Sequence, residues 1–367
     1  MENIQEQQAN CIAAMKQPAL TPVHLFITPA DELSALINEK ANTLFQQLNA
    51  LDVQKTGISE AGKYYLSKHH TGKRLFFSIE SSADIIYHSV KRTGKPLADI
   101  NFTDYGAGLG TLFLLAGLMG FKKVFYNDLF PEWSNNAEII SKDLNIPITD
   151  FITGDIDVML DHGKCNNIYF DIVASRNVVE HIYDLRSFYK KLYQSKLTTL
   201  CYSTTTANFH NMAMRLKHYW YHAKMEKQYY RKQREGYIRE LAPGISATVV
   251  ADLVKLTRGR AFNDLTDTVT AYLDKQPAAK IEFLGTNTCD CGTGVWAEHL
   301  ITRKNYSDII EAAGFSSAYT AGFWDTNYTF AIVNIFTKML NKLVKLLGKK
   351  GYWLSPFVNV VAYTNKQ

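Results

Sequence analysis

The chain has 367 residues, of which 46% are hydrophobic and 20% charged, with a formal net charge of +5 at pH 7. These values are typical of a globular protein with a sizeable core, and a charge this small singles out no class of partner. The longest apolar run, 112–121, is too short to cross a bilayer, and the N-terminus lacks the basic and apolar regions of a signal peptide. Five cysteines, an odd number, favour free thiols in a reducing compartment, so we predict a cytoplasmic protein.

The first 98 residues are predicted to form a helical cap. Asp31 is typical of a helix N-cap, and leucine and isoleucine residues recur after it at helical spacing as far as Leu51. A second helical pattern covers 81–91, and Gly94 and Pro96 separate it from the first predicted strand.

A glycine-rich loop joins that strand, 100–104, to a predicted helix, 111–121. The loop reads Asp104-Tyr105-Gly106-Ala107-Gly108-Leu109-Gly110. Glycine lets the backbone turn sharply and approach a ligand closely, at the positive end of the following helix. A dinucleotide fingerprint would place its third glycine where Thr111 stands, so a nicotinamide oxidoreductase is the least favoured enzyme class.

Acidic residues follow the next two predicted strands, 123–127 and 149–153. Asp128 stands about 20 residues beyond the glycine loop, where a carboxylate can accept hydrogen bonds from both ribose hydroxyls of an adenosyl ligand. Asp155 and Ile156 follow the third strand, after a predicted helix over 132–144.

A fourth predicted strand, 169–174, is rich in the β-branched and aromatic residues that strands favour. It leads into a stretch that contains Asn177, Glu180 and His181, with Asp184 shortly after. Together with the glycine loop and the acids that follow it, this order of motifs resembles the class I S-adenosylmethionine-dependent methyltransferases, in particular their small-molecule members.

The resemblance implies an α/β fold, with a seven-stranded, mostly parallel Rossmann-like sheet, helices on both faces and an antiparallel seventh strand closing one edge. The implied cofactor is S-adenosyl-L-methionine, with the acid and the apolar residue at 155 and 156 holding its adenine. The predicted cofactor contacts are Asp104, Gly106, Gly108, Gly110, Asp128, Leu129, Asp155, Ile156 and Asn177.

The remaining predicted elements extend this scheme. Strands are predicted over 197–203, 316–323 and 357–364, and helices over 183–195 and 305–313. We divide the chain into a helical N-terminal cap (1–98), a cofactor-binding core (99–204), an inserted lid for acceptor recognition (205–298) and the C-terminal part of the core (299–367).

The lid segment 215–239 is dense in basic and aromatic residues. Basic charge can follow a phosphate backbone while aromatic faces stack on bases, so RNA binding through Lys227, Arg231 and Arg234 is one interpretation. A small acceptor that carries phosphate or sugar is a second. The interpretation we favour is a solvated amphipathic helix whose aromatic residues pack on the core.

A second unusual segment, 335–349, has apolar residues on one helical face and lysines on another. A basic amphipathic helix followed by Tyr352 and Trp353 can lie on an anionic membrane surface. We favour the alternative, in which the segment is an insertion whose apolar side is buried against the domain.

Methyl transfer to an alcohol needs a general base. His181 is the first candidate, because histidine titrates near neutrality and this one follows the fourth strand. The alternative for His181 is a hydrogen-bonded structural role. Glu180 and the lid histidines His210, His218 and His222 are weaker candidates.

No metal site is predicted. Cys289, Cys291 and His299 lie close in sequence, but structural zinc sites space paired cysteines by two or more residues and need four ligands. The stretch 287–298 is instead predicted to be a loop punctuated by glycine. Four of its residues and neighbours could reach an acceptor: Asp290, Trp296, Glu298 and His299.

The function we predict is S-adenosylmethionine-dependent O- or N-methylation of a small-molecule, glycan or lipid-linked acceptor. The alternatives are an RNA or protein methyltransferase that uses the basic, aromatic lid, and a non-catalytic binding protein with the same fold. The predicted location is the cytoplasm, with 335–350 as the segment that would contact the inner face of a membrane. The sequence specifies neither the acceptor nor the oligomeric state.

Overall fold

Seven strands form one sheet in the structure, a computed structural model that describes residues 24–277 and 288–364. The strands are β1 (Asn101–Tyr105), β2 (Lys123–Asp128), β3 (Asp150–Thr153), β4 (Phe170–Arg176), β5 (Thr198–Thr205), β6 (Ser316–Ala321) and β7 (Val358–Tyr363). Their order across the sheet is β3-β2-β1-β4-β5-β7-β6. Strands β1 to β5 pair in parallel, which confirms the predicted sheet.

The seventh strand corrects one expectation. β7 is antiparallel, as expected, but it lies between β5 and β6 and pairs with both. The edge of the sheet is therefore closed by β6 and not by β7. Val358 stands opposite Thr205 on one side and Ala321 on the other, so β6 runs in the same direction as the parallel strands.

Thirteen α-helices connect and cover the strands within the described residues. Those of the N-terminal part and the sheet are α1 (Glu32–Ala50), α2 (Glu60–His69), α3 (Gly72–Thr93), α4 (Leu112–Leu118), α5 (Pro131–Asp143), α6 (Ile156–Cys165) and α7 (Leu185–Ser195). The later ones are α8 (Met212–Met225), α9 (Arg231–Leu241), α10 (Ala247–Leu256), α11 (Phe262–Leu273), α12 (Arg303–Ala313) and α13 (Ala331–Leu346).

The N-terminal helices share a hydrophobic core with the sheet. Asp31 caps α1 as predicted, because its side chain accepts a hydrogen bond from the Ser34 amide. Ile37 of α1 and Ile79 of α3 belong to the same buried cluster as Phe102 of β1. The cap predicted over 1–98 thus includes helices that pack directly on the sheet, while its residues 1–23 lie outside the described part.

Helix α3 begins nine residues before the predicted helix over 81–91. Its inner face carries serines, and Ser78 and Ser82 each lie within hydrogen-bond distance of the Thr111 hydroxyl, at 3.0 and 2.8 Å. Because polar residues occupy buried helical positions, the apolar period that marks a helix is interrupted there. This explains why the sequence indicates only the second half of α3.

Four helices, α8 to α11, lie between β5 and α12, and a π-helical turn (Glu226–Tyr230) joins α8 to α9. They have a small core of their own that includes Ile238, Leu253 and Leu265. The predicted lid boundaries, 205–298, enclose these helices and also include 278–287, which lie outside the described residues. The C-terminal range 299–367 likewise extends beyond the last described residue.

Helix α13 contradicts the expected burial of its apolar side. Its buried residues are Thr337 and Val344, whereas Ile335, Phe336 and Met339 are exposed. No helix in the described part of the chain is long and apolar enough to cross a membrane.

Candidate active site

A cavity of about 960 Å³ opens at the carboxyl ends of β1, β2 and β4. The glycine loop forms one part of its wall, and residues 261–264 and 293–295 form another part. The wall includes His181 and every residue that the sequence predicts as a cofactor contact, namely Asp104, Gly106, Gly108, Gly110, Asp128, Leu129, Asp155, Ile156 and Asn177. The structure therefore brings the predicted site residues together, while their roles stay predictions.

The glycine loop needs its first two glycines for different reasons. Gly106 has φ +67°, and a Cβ there would stand 2.6 Å from a methyl group of Val178. Gly108 has φ +51°, and no atom of the described residues lies within 4 Å of the position its Cβ would take. A side chain at 106 would collide with the turn after β4, whereas one at 108 would enter the cavity.

Asp104 links β1 to the start of α4. Its Oδ2 accepts a hydrogen bond of 2.9 Å from the Phe113 amide, and the side chain is buried. Burial raises the pKa of the Asp104 carboxyl to about 8, although the Phe113 amide and the Arg176 guanidinium oppose the shift.

Asp128 lies at the end of β2 and holds two backbone amides. Its Oδ2 accepts from the Gly108 amide at 2.9 Å, and its Oδ1 accepts from the Phe130 amide at 3.0 Å. Burial raises the pKa of Asp128, against the effect of these two amides. The carboxylate thus fixes the glycine loop while it forms part of the cavity wall.

The third strand contributes a helix cap and an apolar surface. The Oδ1 atom of Asp155 accepts from the Asp157 and Val158 amides at 3.0 and 3.3 Å, which caps α6. Ile156 is buried beside it, while Leu129 across the cavity remains 43% exposed. An apolar surface of this kind suits a flat ring.

His181 has a defined tautomer. Its Nδ1 lies 2.6 Å from the carbonyl oxygen of Trp296, and since a carbonyl can only accept, Nδ1 carries the proton. Nε2 is therefore the ring atom with the lone pair. The Trp296 amide donates back to the His181 carbonyl at 3.2 Å, and the His299 amide donates to the Glu180 carbonyl at 2.7 Å.

The strand order, with β7 antiparallel between β5 and β6, and the glycine loop at the end of β1 decide the architecture. The chain has a class I methyltransferase fold.

Comparison with known proteins gives distant structural matches. No protein-family model matches the sequence, and no curated protein matches it. The magnesium protoporphyrin IX methyltransferase of Synechocystis PCC 6803, solved with bound SAH, aligns over 83% of this chain and 95% of its own, at 12% identity and a TM-score of 0.39. An S-adenosylmethionine-dependent methyltransferase of Mesorhizobium loti aligns over 74% and 94%, at 14% identity and a TM-score of 0.34. Similarities this distant transfer no activity to the chain.

The sequence does not predict Arg176 and Tyr65 as residues of the cavity wall. Arg176, at the end of β4, lines the cavity and donates from Nη1 to the Ser78 hydroxyl at 2.7 Å. Tyr65 of α2 lines the cavity as well. Burial raises the pKa of its hydroxyl, although the positive charge of Arg176 opposes the shift. The signal that could have indicated Arg176 is an arginine at the end of a buried strand. Its interactions with Tyr65 and Ser78 could not be predicted, because these two residues are far away in sequence.

Tyr183 and Phe262 form an aromatic part of the cavity wall. The Tyr183 ring stacks on Trp296 at 5.6 Å between centroids and meets Phe262 edge-on at 5.8 Å. The Tyr183 hydroxyl donates to the Asp264 carboxylate at 2.6 Å and accepts from the Ala261 amide at 3.0 Å. These bonds tie the start of α11 to the turn that carries His181.

The weaker base candidates do not reach the cavity. Glu180 is fully buried beneath the turn, where burial raises its pKa. His218 and His222 are the buried residues of α8, and His210 accepts from the Arg303 amide at 3.0 Å. The residues predicted to reach an acceptor lie outside the cavity wall, namely Asp290, Trp296, Glu298 and His299. Trp296 affects the site through its carbonyl, which contacts His181.

The basic segment of the lid is divided between surface and interior. Arg231 and Lys227 are exposed, but Arg234 is fully buried and forms an ion pair with Glu226. The nomination of Arg234 as an RNA contact is therefore wrong, because its guanidinium lies inside the lid.

The cysteine pair of the lid loop is buried. Cys289 and Cys291 are both shielded, and burial raises the pKa of the Cys289 thiol to about 12. Across 24–277 and 288–364, no group of three or more His, Cys, Asp or Glu side chains is arranged to hold a metal ion.

Proposed function

We propose that this protein is an S-adenosylmethionine-dependent methyltransferase that methylates an oxygen or nitrogen of a small-molecule, glycan or lipid-linked acceptor. One observation carries the proposal. A single cavity joins the glycine loop, Asp128, the apolar residues Leu129 and Ile156, and a histidine whose tautomer leaves Nε2 able to accept a proton.

The cavity wall fits the parts of the cofactor. The missing side chain of Gly108 leaves room for a ligand directly beside the Asp128 carboxylate, which is the group suited to ribose hydroxyls. Leu129 and Ile156 would cover the adenine. The Arg176 guanidinium, which faces the same cavity, supplies the charge that a methionine carboxylate needs.

When bound, the cofactor supplies a methyl group on a sulfonium, which is already an activated donor. The protein then has to orient the acceptor, exclude water and remove a proton if the acceptor is a hydroxyl. We assign the last task to His181 Nε2. The Tyr183 and Phe262 rings, which line the cavity, would exclude water.

The size of the cavity supports an additional small ligand beside the cofactor. Ligand pockets usually measure about 300–1,000 Å³, and this one, at about 960 Å³, lies at the upper end. We expect residues 261–264 and 293–295 to meet the acceptor, because they line the same cavity and include none of the predicted cofactor contacts.

An RNA or protein acceptor is the alternative. It is supported by exposed aromatic and basic residues on α8 and the turn after it, among them Trp220, which is 84% exposed, Tyr229 and Lys227. A non-catalytic binding protein is the third alternative. Contact of 335–350 with a membrane is a separate proposal.

The experiment that tests the proposal is transfer of radiolabelled methyl from S-adenosylmethionine into a host-cell extract, followed by phase partition and nuclease treatment. Label in a small molecule or glycan supports the proposal, and label in the organic phase selects the lipid-linked acceptor. Label that nuclease or protease releases would favour the RNA or protein alternative. Failure of the folded protein to bind the cofactor in calorimetry would overturn the proposal in favour of a non-catalytic role.

A further inference from the structure

Helix α13 turns its polar side towards the protein and its apolar side away from it. Asn341 holds the inner side, since its side chain accepts from the Trp324 amide at 2.7 Å and donates to the Trp324 carbonyl at 2.9 Å. Asn334 makes the same pair of bonds with Tyr328 at 2.6 and 2.9 Å. The helix is therefore fixed on the protein by its amides.

The outward side of α13 is a continuous apolar stripe. Ile332, Ile335 and Leu346 are 76%, 68% and 82% exposed. At about 100° per residue these side chains fall on one arc, together with Phe336, Met339 and Leu343, opposite the buried Thr337 and Val344. Exposed stripes of this kind mark an interaction surface.

Lysines border the stripe on one flank. Lys338, Lys342 and Lys345 lie on the arc next to it, and Lys349 and Lys350 follow the helix. The sequence contains no Asp or Glu after Asp325, so nothing within this segment neutralises them. If a second copy packed on the stripe, the lysines of each α13 would face a helix without acidic residues. Lipid phosphate groups, by contrast, would provide the negative charge that these lysines need.

The segment 322–357, which contains α13, leaves the sheet at the same end of the strands as the cavity. It connects β6 to β7, and its two ends are Ala321 and Val358, which pair with each other. Val358 also pairs with Thr205, at the carboxyl end of β5. The carboxyl ends of β1, β2 and β4 lie at this same end of the sheet and line the cavity.

We propose that α13 docks this protein on an anionic lipid surface, with the apolar stripe in the headgroup region and the lysines against the phosphates. The length of the helix, about 24 Å at 1.5 Å per residue, suits a helix that lies in the plane of the interface. The inference does not depend on methyl transfer, and it places a bound membrane at the end of the sheet that holds the cavity.

The test is cosedimentation of the full chain with phosphatidylcholine vesicles, prepared with and without phosphatidylglycerol, in the absence of cofactor. Wild type should bind only the anionic vesicles and leave them at high ionic strength. The apolar variant I332Q/I335Q/L346Q and the charge variant K338E/K342E/K345E should each bind about tenfold more weakly or less. All six side chains are exposed, so both variants should keep the wild-type melting temperature.

A matched control is K122E/K142E/K164E, which makes the same change of net charge at exposed lysines elsewhere and should bind like wild type. Wild-type protein left in the supernatant with anionic vesicles at low salt would overturn the proposal. So would equal loss of binding in the control, which would show a non-specific charge effect. Self-association of wild type without vesicles, abolished in the apolar variant, would identify a second copy as the occupant and reject the membrane.

Discussion

Asp128 combines two tasks at one carboxylate. It accepts hydrogen bonds from the Gly108 and Phe130 amides, which fixes the glycine loop, and it presents the same group to the cavity. A ligand that approaches Gly108 therefore meets a carboxylate that is already positioned, and little ordering is needed on binding.

Asp128→Ala should weaken binding of S-adenosylmethionine by roughly 1.5–3 kcal/mol, the contribution of hydrogen bonds to a charged group. Isothermal titration calorimetry measures the change. The control is Asp143→Ala, which removes a carboxylate from the exposed end of α5 and should leave the affinity unchanged. Wild-type affinity in Asp128→Ala would contradict the placement of the ribose at β2.

His181→Gln should lower turnover by about 10²–10⁴-fold while cofactor affinity is kept, since glutamine can still donate to the Trp296 carbonyl but cannot act as the base. Single-turnover rates with a hydroxyl acceptor, once one is found, provide the measurement. His210→Gln, at a histidine outside the cavity wall, serves as the control. Equal turnover in wild type and His181→Gln would leave His181 a purely structural role.

The sequence predicts those site residues that stand at a fixed distance from a strand along the chain. The glycine loop, Asp128 and His181 were found because each follows a predicted strand at a definite distance. Arg176 and Tyr65 were not, because their common position depends on helices α2 and α3 folding over the end of β4. Contacts between residues so distant in the chain leave no trace in spacing.

The lid helices depend on a buried ion pair. Arg234 of α9 reaches the Glu226 carboxylate in the π-helical turn, with 3.1 Å between Nη1 and Oε2, and also lies within 3.3 Å of the Val254 carbonyl. Thr288, at the start of the lid loop, donates to the same carboxylate. One arginine thus connects α9, α10 and the loop that leads to Trp296.

Arg234→Ala should lower the free energy of unfolding by about 3–5 kcal/mol, because it leaves the Glu226 carboxylate largely buried without its partner. Urea denaturation measures the loss. The matched control is Arg231→Ala on the same helix, where the side chain is exposed and the change should stay within about 0.5 kcal/mol. Similar stability in the two variants would show that the pair contributes little.

The sequence predicts the positions of the strands and helices better than it predicts which face of a helix is buried. Strand boundaries from the sequence agree with β1 to β7 to within a few residues, because buried strands are short apolar runs between turn signals. For α13 the period indicated a helix correctly and its burial wrongly. Periodicity identifies an apolar face, but whether the protein covers that face depends on the polar partners that Asn334 and Asn341 find.

One of the buried clusters of the molecule runs from α1 to β7. The buried cluster that contains Ile37 and Ile79 also contains Phe102 of β1, Ile172 of β4 and Val361 of β7. The N-terminal helices therefore contribute side chains to the face of the sheet and do not form a separate unit above it.

A chain that begins at residue 99 should consequently lack a cooperative thermal transition, since it exposes the apolar face that α1 and α3 cover. Near-ultraviolet circular dichroism during heating gives the measurement, with the full chain as reference. Cooperative melting of residues 99–367 would show that the N-terminal part folds as an independent cap.

The alternation of strands and helices predicts this architecture, but not how the insertions are arranged around it. The position of β7 between β5 and β6 and the contact of Trp296 with His181 depend on pairings between residues far apart in the chain. Local patterns carry no information on such pairings, which is why the edge strand was assigned wrongly.

The contact between His181 and residue 296 has a consequence for how this protein can vary. The orienting atom is a backbone carbonyl, which every amino acid supplies, so a substitution at 296 that keeps the path of the chain preserves the imidazole tautomer. A one-residue insertion or deletion between 288 and 302 would displace that carbonyl. The loop can therefore change its side chains at 293 and 295, which line the cavity, as long as its length stays fixed. Gly294 cannot change, because its φ is +71° and a Cβ there would stand 2.5 Å from the Phe262 ring.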